Sequence, residues 1–84
     1  MRYSVHWSAD ALMALASIWL RSSDRSQVSA TQDLVDDLLS NNPVKNGYLL
    51  SEDLFAIEIP PLRVLFERDD TGMIVEVVTV NLLA

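Results

Sequence analysis

Arg63 has the best-defined chemical setting in the chain. It lies in Leu62-Arg63-Val64-Leu65-Phe66-Glu67, where alternation puts Leu62, Val64 and Phe66 on one face and Arg63, Leu65 and Glu67 on the other. A guanidinium fixed on a sheet face offers donors that match phosphate or carboxylate oxygens. The plainer reading pairs it with Glu67, or with Glu58 across a hairpin, as a cross-strand charge pair worth under about 1 kcal/mol. His6 is the only histidine, and alternation sets it on a face with Arg2 and Arg63. Imidazole suits proton transfer near neutral pH, although a histidine without a partner on a short strand is otherwise a solvated surface group. Arg63 and His6 are therefore the two candidate catalytic residues.

Other residue types point away from chemistry. Asp36-Asp37, Glu52-Asp53 and Asp69-Asp70 are neighbours in sequence. Acid–base catalysis by carboxylates needs two groups in contrasting environments within a cleft, so these pairs read as solvated charges. There is no cysteine, which excludes disulfides and thiolate metal sites and fits a reducing, cytoplasmic compartment. No set of side chains has metal-ligand spacing, and serine occurs without a Gly-x-Ser-x-Gly elbow. With glycine only at 47 and 72, no phosphate-cradling loop is present, and no cofactor is expected.

Charge is distributed unevenly. Residues 1–25 carry Arg2, Arg21 and Arg25 against Asp10 and Asp24, for +1; the remainder carries three cations against ten acids, for −7. No basic stripe is available to hold a phosphate backbone, so direct binding to free nucleic acid is not expected. Half of the residues are hydrophobic, enough for one core, and residues 1–84 read as a single domain. The apolar run Ala11 to Leu20 resembles a signal-peptide core, but Asp10 and Arg21 bracket it and no small-x-small cleavage pattern follows. It is also well short of the ~20 residues that span a bilayer.

These candidates need elements to position them. Arg2 to Trp7 alternates as a strand with Tyr3, Val5 and Trp7 on one face. Ser8 is placed to cap a helix whose stripe is Leu12, Leu15, Ala16 and Trp19, widened by Met13 and Leu20, ending near Arg21 or Ser22. A second helix starts from Asp24, or from Ser29 through a capping box, the earlier start giving the continuous stripe Val28, Thr31, Val35, Leu38 and Leu39. Asn41-Asn42-Pro43 stops it. Val44 to Asp53 reads as a loop, with an extended piece at Tyr48 to Leu50. Leu54 to Ile59, Leu62 to Arg68 and Met73 to Asn81 read as strands, the last covered on both faces. Pro60-Pro61 and Asp69-Asp70-Thr71-Gly72 supply the turns, Gly72 taking positive φ. The fold class is α+β, in the order β-α-α-β-β-β, with a helical hairpin on one face of a mostly antiparallel four-stranded sheet. Trp7 and Trp19 are expected in the core. Leu49, Leu50, Leu65, Leu82 and Leu83 are candidates for an exposed apolar patch that a second copy or a partner covers.

Element order and two stretches resemble the RelE/ParE superfamily of type II toxin–antitoxin and plasmid-stabilisation proteins. The first is Tyr3-Ser4-Val5-His6-Trp7-Ser8-Ala9-Asp10-Ala11-Leu12; the second is Leu62 to Glu67 with its acidic turn and valine-rich last strand. The resemblance implies a bacterial, cytoplasmic toxin-like chain with an antitoxin protein as partner. It assigns Arg63 to the strand arginine that contacts messenger RNA phosphate in ribosome-dependent ribonuclease members. Such members also imply basic residues on the second helix, and an arginine with a tyrosine or histidine at or beyond the last strand. Here the second helix carries Asp33, Asp36 and Asp37, and the chain runs out as Val80-Asn81-Leu82-Leu83-Ala84. These departures favour action by protein binding over RNA cleavage. The alternatives are a ribosome-dependent endoribonuclease using Arg63, and a non-toxic relative that self-associates as a homodimer.

Overall fold

Ser8 joins the first strand to the first helix by serving both. Its Oγ accepts the Ala11 N–H at 3.0 Å, capping the helix, and donates to the Val78 carbonyl at 3.0 Å, tying that cap to the last strand. The computed structural model describes residues 2–83. The elements are β1 (Ser4–Trp7), α1 (Ala9–Arg21), α2 (Arg25–Asn41), α3 (Pro43–Asn46), β2 (Tyr48–Ser51), β3 (Leu54–Ile59), β4 (Leu62–Asp69) and β5 (Ile74–Leu82). Asp24 caps α2, its carboxylate accepting the Gln27 N–H at 3.0 Å, so the earlier of the two starts is the one used. Asn42 ends α2 and opens α3, accepting the Lys45 N–H, with Pro43 in the first turn where a missing N–H costs nothing.

The sheet has five strands in the order β1-β5-β4-β3-β2, with β1 and β5 parallel and every other pair antiparallel. The expected class and helical hairpin are present. The fifth strand, β2, together with α3, replaces the expected loop over Val44 to Asp53, the extended piece at Tyr48 having found an edge to pair with. Both long helices lie on the face of Leu62, Val64 and Phe66. Ala11, Leu15 and Ile18 of α1, and Val28, Val35 and Leu39 of α2, bury against Ile57, Leu62, Val64, Phe66, Val75, Val77 and Val80.

Three expectations fail here. The buried stripe of α1 is Ala11, Leu15 and Ile18, while Leu12, Met13 and Leu20 are exposed and Trp19 lies at the surface with the Arg25 guanidinium 4.6 Å from its ring centroid. Trp7 does pack against the core, and its indole N–H donates to Asp36 at 2.6 Å. β5 is central but covered on one face only, leaving Ile74, Glu76 and Asn81 exposed on the other. In the β4–β5 turn the positive φ falls on Met73, at 54°, and not on Gly72, because the Asp69 carboxylate accepts both the Thr71 and Gly72 N–H groups and fixes the preceding residues.

Candidate functional site

The face of the sheet away from the helices carries Arg63. Hairpin pairing across Pro60-Pro61 sets Ile59 opposite Leu62 and therefore Glu58 opposite Arg63. The Arg63 Nε stands 3.5 Å from Glu58 Oε2, with both side chains about a third to two-fifths exposed. Glu58, and not Glu67, is thus the partner. The same Oε2 accepts the Tyr48 hydroxyl from the edge strand. Arg63 Nε is buried and lies at ion-pair distance without an aligned hydrogen bond. A half-exposed pair of this kind contributes little stability after solvent screening. Its consequence is electrostatic: the Arg63 guanidinium faces a carboxylate held in place by a tyrosine.

Along the same face, β5 sets Asn81 beside Arg63, and the row Tyr48, Ala56, Leu65 and Thr79 runs next to it. Ala56 is completely buried there, a small side chain beneath the larger neighbours on the adjoining strands. Leu65 is half-buried. A further row contains Glu67 and Glu76 and ends at His6 on the opposite edge. Glu76 and Asn81 are five residues apart on β5, so the His6 row and the Arg63 row are separated by roughly 15 Å. His6 and Arg63 therefore do not form one site, and the carboxylates of Glu67 and Glu76 surround the histidine end of the face. Arg2 leaves this face altogether. It reaches Ser40 at 3.0 Å and Asp37 at 3.6 Å on α2.

The sequence pairs of acids have structural assignments. Asp36 accepts from Trp7 and Asp37 takes Arg2, so the acidic second helix is tied to β1 and Asp36 is not a fully solvated charge. Asp69 closes the β4–β5 turn. Asp70 accepts the Tyr3 hydroxyl at 2.7 Å and stands 3.4 Å from Arg68. The Asp70 carboxylate raises the Tyr3 phenol above its ordinary value, first through that hydrogen bond. Glu52 and Asp53 occupy the exposed β2–β3 turn. Of the expected apolar patch, Leu49, Leu50 and Leu82 are exposed, while Leu65 and Leu83 are half-buried. Ala84 lies outside the described residues.

Tyr48 is the member of the site that the sequence did not bring forward. Its role depends on the β2–β3 register, Tyr48 opposite Ala56, and a four-residue strand after a loop-like stretch carries little sign of that pairing.

Comparison with known proteins locates the fold. No family model and no curated protein matches the sequence. Solved structures do match over nearly the whole chain. The toxin–antitoxin complex RelBE2 from Mycobacterium tuberculosis superposes with a TM-score of 0.83 at 22% identity, covering 100% of this chain and 94% of that one. The intact RelBE toxin–antitoxin complex of E. coli gives 0.59 at 19% identity, covering 98% of each chain. The archaeal RelE-RelB complex from Pyrococcus horikoshii gives 0.63 at 16% identity, covering 98% and 96%. The chain thus has a RelE-like α+β fold, the fold that the resemblance read from its sequence implies. Among the described residues no helix is long and apolar enough to cross a membrane.

Proposed function

We propose that this chain is the toxin-like component of a type II toxin–antitoxin pair, that it works in the cytoplasm by binding a protein target, and that it does not cut RNA. The fold supports the first part, since the solved structures sharing it are RelE toxins and their complexes with RelB antitoxins. An antitoxin protein is accordingly the expected partner.

The observation that carries the second part is the pairing of Arg63 with Glu58, itself held by Tyr48. A phosphate approaching Arg63 would meet the negative charge of the Glu58 carboxylate, 3.5 Å from its Nε. Glu67 and Glu76 on the same face, and a net charge of −6, add to the repulsion. His6, in another row, is too distant to move a proton for a group bound at Arg63. Protein recognition requires none of these groups, and exposed apolar side chains on the edge strand and helices suit it.

The reading is tested by mapping messenger RNA ends in a translating extract supplied with the purified chain. No new ends should appear above background. New ends in register with codons, lost with Arg63→Ala, would replace protein binding with the ribosome-dependent endoribonuclease.

A further inference from the structure

Helix α1 has a second apolar face that the fold leaves uncovered. Ala11, Leu15 and Ile18 face the sheet. On the opposite side Ala9, Met13, Ala16 and Leu20 recur at spacings of four, three and four, the repeat of a two-helix seam. All four are exposed, Met13 by 70% and Leu20 by 63%. A surface helix ordinarily turns charge to water on the side opposite its core, and on α1 that side carries only apolar residues.

We infer that this face is an interface between two copies of the chain, packed as antiparallel α1 helices about a two-fold axis. The order of the side chains is what selects a second copy. In a two-fold antiparallel pair, Ala9 of one copy stands opposite Leu20 of the other and Met13 opposite Ala16, and the reciprocal layers follow by symmetry. Every layer joins one small and one large side chain, which allows a close approach at the short end of the usual 8–10 Å helix spacing. Charge agrees with the same register. Asp10 and Arg21 lie on one flank of the seam, and each copy's Asp10 comes within about two residues, roughly 3 Å along the axis, of its partner's Arg21. On the other flank Leu12, 49% exposed, comes equally near the partner's Trp19, 38% exposed. A parallel pair would set Met13 against Met13 and each copy's Asp10 and Arg21 flank against its partner's Leu12 and Trp19, losing both complementarities.

The area sets the strength. One 13-residue helix face buries on the order of 500 Å² per copy, below the ~800 Å² per partner of a standard interface. The dimer is therefore weak and concentration-dependent, forming in the micromolar range and above. This inference does not rest on the toxin reading, and either can fail alone.

Sedimentation of the full chain between about 5 and 500 µM tests it. The mass is expected to rise from 9.4 kDa towards twice that value. Met13→Glu and Ala16→Glu, at exposed positions, should shift the midpoint at least tenfold upward with unchanged circular dichroism. Leu49→Glu on the β2 edge should leave it in place. Because the chain has no cysteine, cross-linking reports the orientation. A mixture of Met13→Cys and Ala16→Cys chains should form mixed disulfide dimers quickly, and Leu20→Cys alone should not. A monomer throughout the range, loss of the dimer with Leu49→Glu but not Met13→Glu, or rapid Leu20→Cys self-coupling would each overturn the inference.

Discussion

Phe66→Ala is expected to cost about 3–5 kcal/mol, most of the stability of a domain this small. Phe66 is fully buried, sits on β4 opposite Phe55 on one side and Val77 on the other, and stacks on the Phe55 ring with centroids 5.6 Å apart. Removing it empties the space beside the Phe55 ring and under Gly47, at the corner between α3 and β2. An isolated two-strand edge cannot refill that space, since β2 and β3 depend on β4 for their pairing. Urea unfolding should show the midpoint collapse, with little folded protein left at 37 °C. Phe66→Leu, which keeps most of the volume, should lose far less. Equal losses for the two variants would mean that the ring's shape, and not its bulk, holds the site.

Gly47→Ala is expected to cost about 1–3 kcal/mol although it adds a single methyl group. A Cβ at position 47 would lie 2.9 Å from the Ala56 carbonyl oxygen and 3.0 Å from the Phe66 ring. The oxygen belongs to the β3 backbone and cannot move without breaking the ladder to β2 or β4. The glycine at this position is required by close approach, its φ of −115° being open to any residue. Part of the cost comes from the Phe66 ring, so Gly47→Ala should cost less in a Phe66→Leu background than in the native chain. Strict additivity in that double-mutant cycle would show that the carbonyl alone sets the limit.

Much of this architecture was legible because local chemistry and tertiary context agree. Ser8 and Asp24 are helix caps in sequence and in structure. The strands flanking Pro60-Pro61 alternate cleanly, and alternation through that hairpin is enough to put Glu58 within reach of Arg63. Where a segment is apolar on both sides, periodicity could not tell which face would be buried. In α1, Leu12 and Trp19 promise more apolar area than Ala11 and Ile18, yet Ser8's bond to Val78 fixes the rotation of the helix and turns the smaller set inward. β5 misleads in the same way, its valines suggesting two covered faces where the helices supply one. β2 was hard to see because a four-residue edge strand is defined by its neighbour more than by its own residues. The site inherits these limits. Arg63 and Glu58 could be found from alternation, whereas Tyr48 needed the edge strand. The separation of His6 needed the strand order, which inserts the last strand between the first and the rest.

The most direct measurement is growth of a bacterial culture after tightly controlled induction of this chain, beside Arg63→Ala. Arrest of equal depth with both, relieved by co-expressing a protein that binds the chain, is the result expected of a toxin-like protein that acts through protein contacts. Arrest by the native chain with full growth of Arg63→Ala would contradict it, and would make Arg63 an anion contact despite the carboxylate of Glu58 beside it.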